Sequence, residues 1–250
     1  MNTKRLFAPL AALVVLTALA SPVCAVSAND ILARVKATEA GVQDMRADMV
    51  IEEANKKNVS GMGEGYGDIV KLEKAVVSYR KPDKLRYDGY AKGIKVTYIQ
   101  NGYTKLVIAS MIRSKDNVKD SPGKRQDTLD MGFLSSRLWT DNKVTVESAG
   151  KDGTVKLKLD PKFGGADKRH DNVWINSKTL RLIKREKYLG SGELRVKYTY
   201  TDHALLAGKL PIATTSTMYD PQGKELGTVS YRNVKANVGL DADLFSLTQR

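Results

Sequence analysis

Two stretches decide the fold: Thr154-Val155-Lys156-Leu157-Lys158-Leu159 and Leu194-Arg195-Val196-Lys197-Tyr198-Thr199-Tyr200. In each, apolar and polar residues alternate one for one, the period of a strand with one dry face and one wet face. The wet face is cationic in both. Turn-forming residues separate such runs: Asn101-Gly102 between 94–100 and 103–109, Asp152-Gly153 between 143–148 and 154–159, Ser191-Gly192 between 180–189 and 193–200, and Pro221-Gln222-Gly223 between 212–219 and 225–234. Asn-Gly and Asp-Gly favour the positive φ angles of tight hairpins. About ten strands joined this way make a meandering antiparallel sheet. A sheet with one apolar face must curl over a core, pack on another sheet, or take a helix as cover.

The flanking sequence supplies candidates for that cover. Residues 29–40 read as a short helix, capped by Asn29 or Asp30, with Ile31, Leu32 and Val35 on one face. A strand over 44–53 follows, with Met45, Ala47, Met49 and Ile51 on its dry side. Residues 56–67 are polar and carry Gly61, Gly63, Gly65 and Gly67. They fit neither the dinucleotide-binding nor the phosphate-loop pattern and read as a hairpin connection, after which 69–79 resumes strand character. A polar loop over 114–126 leads into 127–139, where Leu129, Met131, Phe133, Leu134, Leu138 and Trp139 predict a helix. It is either a core helix plugging the sheet or a detachable cover, the latter because Gly132 weakens its middle by about 1 kcal/mol.

Length and composition bound the function. The 250 residues are 42% hydrophobic and 28% charged, neither a disordered nor a polytopic membrane composition, and they show no repeat or linker, so one domain is expected over 26–250. The first 25 residues read as a secretory signal peptide: Lys4 and Arg5, then an apolar run from Leu6 to Ala20, then small residues allowing cleavage after Ala25 or Ala28. The run is shorter than the roughly 20 residues a membrane span needs. Either cut removes Cys24, the single cysteine, which excludes a disulfide framework or a Cys-rich zinc site. Val23 occupies the place where a lipidation motif wants a small residue. The formal net charge of +13 would ordinarily suggest nucleic acid, but export argues against that partner and leaves membranes, anionic lipids or a solvated exterior.

Catalytic signatures are missing. His170 and His203 lie in no metal-ligand or triad spacing, and there is no G-x-S-x-G, H-E-x-x-H or Walker sequence. No catalytic residue, metal ligand or cofactor is therefore assigned. A curved apolar face in an exported protein suits an acyl chain, because each buried CH₂ contributes about 0.8 kcal/mol without a specific polar contact.

In order along the chain, several pieces resemble the periplasmic lipoprotein-carrier family, the LolA-like or outer-membrane lipoprotein-sorting proteins. They are the opening helix, the strand over 44–53, Tyr79-Arg80-Lys81-Pro82-Asp83-Lys84-Leu85-Arg86-Tyr87, the Asn101-Gly102 turn, Met131-Gly132-Phe133-Leu134, Tyr231-Arg232-Asn233-Val234-Lys235-Ala236-Asn237-Val238 and Asp243-Leu244-Phe245. The resemblance implies a mainly β fold with a few helices, an unclosed antiparallel β-barrel with a helical lid. It implies a monomeric periplasmic carrier that takes acyl chains of lipoproteins or lipids from an inner-membrane transporter, of ABC or RND type, to an outer-membrane acceptor or membrane surface. The family holds its lid with an Arg before the Pro; here that place is Lys81, which cannot form a planar bidentate clamp, with Arg80 and Arg86 as further latch candidates. The acyl chains are expected to meet Met45, Met49, Ile51, Val96, Tyr98, Val155, Leu157, Val196 and Tyr198 on strands and Leu129, Met131, Phe133, Leu134 and Leu138 in the lid. Trp174 is expected on the outside or at a rim, since Val173 and Ile175 compete for the inside. Two alternatives stand beside the carrier. One is a periplasmic lipid or lipoprotein sensor, although the chain leaves little room for the extra β domain such sensors carry. The other is an envelope-glycan enzyme, which a carboxylate within the cavity would favour.

Overall fold

The computed structural model describes residues 26–54, 72, 74–165 and 168–248. The expected leader over 1–25 and the loop over 56–67 lie outside them. A helix, α1 (Ala28–Glu39), is followed by strands β1 (Asp44–Ala54), β2 (Lys74–Arg80), β3 (Lys84–Ala91), β4 (Ile94–Asn101), β5 (Thr104–Ala109) and β6 (Ile112–Asn117). A short helix, α2 (Arg137–Asp141), then precedes β7 (Asn142–Ala149), β8 (Thr154–Pro161), β9 (His170–Asn176), β10 (Leu182–Tyr188), β11 (Leu194–Leu206), β12 (Leu210–Tyr219) and β13 (Glu225–Ala236).

The strands form one 13-stranded sheet in the order β6-β5-β4-β3-β2-β1-β13-β12-β11-β10-β9-β8-β7, and the neighbours are paired antiparallel throughout. β6 and β7 are its two free edges, so the sheet curls without closing into a barrel. The alternation that predicted it is visible in burial: Val155, Leu157 and Leu159 are buried, while Lys156 and Lys158 lie on the other face with ion pairs to Glu147 and Asp160. Gly102, in the expected Asn-Gly turn, has φ +60°, which glycine adopts at no steric cost.

The concave face carries two apolar clusters. One gathers Met45, Ala47 and Met49 of β1 with Val77, Tyr79, Leu85 and Tyr87. The other gathers Val155, Leu157, Val173 and Ile175 with Ile31 and Val35 of α1. Ser27 and Asp30 cap α1 reciprocally in a capping box, and Arg34 donates to the carbonyls of Ser177 and Lys178 in the β9–β10 turn. On the convex face the C-terminal chain forms a strap: Phe245 packs on Ile99 and Leu106. Trp174 lies on this convex side, with Lys184 Nζ 3.7 Å from its ring centroid, as expected for an outside position.

Three expectations need correction. The helix over 127–139 does not form: residues 128–132 are turns, and helix appears only in α2. The backbone bonds of the stretch are short-range, Met131 N–H to Thr128 O and Gly132 N–H to Leu129 O. The apolar residues surround the segment because it is buried on all sides, so no amphipathic period was needed. The polar loop over 114–126 contains most of β6, whose six residues are all exposed; an edge strand buried on neither face carries no alternation. The strand ending at Tyr200 continues to Leu206 and turns into β12 through Ala207, Gly208 and Lys209, so Asp202 and His203 lie within β11.

Candidate functional site

Between the free edges the chain runs through the concavity rather than around it. Residues 118–141 connect β6 to β7, and the stretch 126–138 bridges the two apolar clusters. Met131 and Phe133 join the cluster on β1–β3, and Leu129, Leu134 and Leu138 join the cluster on α1 and β8–β10. All five are at most 3% exposed. The segment is a plug, and polar groups on six different elements fasten it.

Its backbone, lacking helical bonds, is satisfied by the surrounding wall. Gln100 of β4 donates from Nε2 to Gln126 O at 2.9 Å and accepts the Gln126 N–H at 3.0 Å. Tyr200 of β11 donates to Leu129 O at 3.0 Å, Tyr231 of β13 to Asp130 O at 2.8 Å, and the Ala213 N–H of β12 to Gly132 O at 2.8 Å. Glu39, at the end of α1, accepts from the Ser136 N–H and hydroxyl. Gly132 has φ +85°, and a Cβ there would collide with the Ala213 carbonyl oxygen, so only glycine fits. Burial pushes the Tyr200 and Tyr231 phenols up, which keeps both as donors.

The sixth fastening is ionic. Arg185 of β10 is 2% exposed and faces three carboxylates: Asp127 at 2.8 Å, Asp130 at 2.9 Å and Asp171 at 2.7 Å. Burial opposes the Asp127 charge, but Arg185 outweighs it and holds that carboxyl below its ordinary range. Asp130 moves the other way, raised by burial and by the neighbouring Asp127 charge. Both Asp130 oxygens are engaged, one by Arg185 and the other by the Asp127 N–H at 2.9 Å.

The latch candidates read from the sequence go elsewhere. Lys81 donates to Glu39 O at 2.6 Å, Arg80 to Leu240 O at 3.1 Å, and Arg86 bonds Asp88 and Leu244 O. Lys81 thus fastens the end of α1, while Arg80 and Arg86 hold the C-terminal strap.

Beside the plug, a cleft of about 840 Å³, counting its open mouth, lies over β1 and β11–β13. Met49, Ile51, Met218 and Val229 give it an apolar floor, Tyr87, Tyr198 and Tyr231 its aromatic walls, and Arg125, Asp130 and Lys187 its polar side. Of the expected contact residues, Met49, Ile51 and Tyr198 line this cleft. Met45, Val96 and Tyr98 pack in or against the β1–β3 cluster, Val155 and Leu157 in that of β8–β10, and Val196 against Met218 and Leu226. Met218 and Val229 were within reach of the alternation in 212–219 and 225–234. Arg185 was not, because Leu182-Ile183-Lys184-Arg185-Glu186-Lys187-Tyr188 shows no dry face on which a buried charge would stand out.

No protein-family model matches the chain, and no curated protein sequence matches it. Solved structures do. A LolA superfamily protein from Nitrosomonas europaea aligns with a TM-score of 0.60 at 16% identity, over 89% of this chain and 98% of that one. A structure described as an outer-membrane lipoprotein-sorting protein domain from Vibrio parahaemolyticus gives 0.58 at 13% identity, over 86% and 95%. A DUF1329 family protein from Desulfovibrio piger gives 0.51 at 14% identity, over 87% and 95%. The chain has the LolA-like fold, as its sequence led us to expect.

Proposed function

We propose that this LolA-like chain is a periplasmic carrier, exported by its N-terminal leader, that holds the acyl chains of lipoproteins or lipids and shuttles them from the inner to the outer membrane. An inner-membrane transporter of ABC or RND type would load it, and an outer-membrane acceptor or the membrane surface would unload it. The observation that carries this reading is the open cleft with its floor of Met49, Ile51, Met218 and Val229. Ile51 and Val229 are only partly buried there, and apolar surface left open beside a packed core has a use when a greasy ligand covers it. Binding rather than catalysis is the reading because Asp127 and Asp130 of the plug and Asp171 of β9 all serve Arg185. The likeness to a structure described as a lipoprotein-sorting domain supports the cargo class.

The test is native mass spectrometry with lipid extraction on protein purified gently from a periplasm, together with uptake of a fluorescent fatty acid. Co-purifying acylated lipid or lipopeptide, and uptake abolished by Ile51→Asp or Val229→Asp at unchanged β-sheet circular dichroism, is the expected result. A protein that arrives bare and takes up no fatty acid overturns the reading.

A further inference from the structure

The apolar cleft does not end at its polar side. It shares Gly123, Arg125 and Lys187 with a second depression of about 560 Å³, counted with its open mouth. The lining of that depression carries five cationic side chains, Arg125, Arg169, Arg185, Lys187 and Arg195, against two carboxylates among the described residues, Asp127 and Asp171. Both carboxylates accept from Arg185, so among the described residues cationic side chains outnumber carboxylates in this lining.

Three details show this end to be built. First, Arg195 is the extra residue of a β-bulge: Val196 pairs with Lys187 and Leu194 with Tyr188, so Arg195 is the residue inserted between the two pairs. A bulge re-aims a side chain, and this one brings a residue of the expected wet face to the mouth of the concavity. Second, the Arg169 guanidinium lies where a Cβ on Gly123 would stand, so glycine there admits the arginine. Third, Arg125 has its Nη1 buried with no hydrogen-bond partner among the described residues, although its side chain is only 10% exposed. Its other contacts are the Asp141 carboxylate at 3.7 Å and the Tyr103 ring at 5.3 Å. A buried N–H without an acceptor is costly.

We propose that the site takes an amphiphile with a phosphate-class anionic head, its acyl chain over Met49, Ile51, Met218 and Val229 and its head among Arg125, Arg169, Lys187 and Arg195. This rests on the carrier reading and names the cargo class for it. Several converging donors suit the multiple oxygens of a phosphate, and arginine forks suit its geometry.

The experiment measures affinity of the purified protein for two ligands with the same acyl chain, monoacylglycerol and lysophosphatidylglycerol, and for inorganic phosphate alone. Lysophosphatidylglycerol is expected to bind about 10- to 100-fold tighter than monoacylglycerol, the range to which a charge-assisted hydrogen bond converts. Arg195→Gln and Arg169→Gln, checked by thermal melting, should erase that preference and leave monoacylglycerol binding unchanged. Equal affinity for the two lipids, or variants that lose both alike, overturns the head-group assignment while the carrier stands. Phosphate binding as tightly as the lysolipid shows a plain anion site and overturns the head-group assignment; failure of both lipids to bind overturns the carrier reading with it.

Discussion

Replacing Arg185 by Met is the sharpest perturbation of the plug. Methionine keeps the length of the side chain and removes the charge, leaving Asp127, Asp130 and Asp171 facing one another with no guanidinium between them. Breaking a buried ion pair from one side costs about 3–5 kcal/mol, a large share of the 5–15 kcal/mol typical of a whole domain. At about 2–4 °C per kcal/mol for a chain of this size, the midpoint of thermal unfolding should fall by about 6–20 °C at neutral pH. The cost should change little with added salt, since buried charges are poorly screened. Lys184→Met, which removes the cation over Trp174 on the convex face, is the control and should cost less than about 1 kcal/mol. Adding Asp127→Asn, Asp130→Asn and Asp171→Asn to the Arg185 variant should recover most of the loss, because the uncompensated charge is what costs. A midpoint within about 3 °C of the parent, close to 1 kcal/mol, would show that the guanidinium does not hold the plug.

The carboxylates should separate by pH. Asp127, held below the unfolded value of 3.8, stabilises the fold above that value and loses its contribution as pH falls through its folded pKa, so Asp127→Asn should cost about 1.5–3 kcal/mol at pH 7. Asp130, raised in the fold, favours the folded state most below 3.8 and loses that contribution as pH rises through its folded pKa. Asp130→Asn should therefore cost less than Asp127→Asn at pH 7, and melts from pH 3 to 8 should show the order. Gly132→Ala should lose about 1–3 kcal/mol from its positive φ alone, with a further loss from the Ala213 carbonyl, read by denaturant titration. Phe245→Ala, beneath the C-terminal strap, should cost about 3–5 kcal/mol and leave acyl binding per folded molecule unchanged.

The sheet was legible because its strands are buried on one face. Val155, Leu157 and Leu159 report the core directly, and the hairpin residues between strands set the antiparallel order. Legibility stops where a segment is wet on both faces, as in β6, or dry on every side, as in 127–138. In the second case Leu129, Met131, Phe133 and Leu134 satisfy a helical count by accident, since side chains buried on every side of a segment follow no single period. What decides the conformation there is the backbone bonding supplied by Gln100, Tyr200, Tyr231 and Ala213, which come from strands far away in the chain. Spacing within the segment cannot register such partners. The cleft was half legible for a similar reason: its floor follows alternation, whereas its cationic end depends on a bulge that moves Arg195 off the face its position predicts.

The packing of the plug bears on how cargo is held. Drawing Leu129, Met131, Phe133, Leu134 and Leu138 out of the core would expose five large side chains, at about 1.5–3 kcal/mol each, or about 8–15 kcal/mol before Arg185 and the tyrosine bonds are broken. An acyl chain of about fourteen methylenes returns about 11 kcal/mol at 0.8 kcal/mol each. Full displacement therefore yields little net binding, whereas laying the chain over Ile51 and Val229 beside a seated plug keeps whatever part of that gain the cleft can bury without the cost of unseating. Phe133→Asp or Leu134→Asp would put a charge into packed core, so loss of binding in either would follow from unfolding as readily as from a missing contact. Hydrogen exchange distinguishes the two modes of loading without a substitution. With a fluorescent fatty acid at saturation, the amides of Gly132, Phe133 and Ala213 should exchange no faster than in the free protein. Faster exchange on loading would mean that the plug lifts to admit the chain, and the seated-plug argument would be wrong.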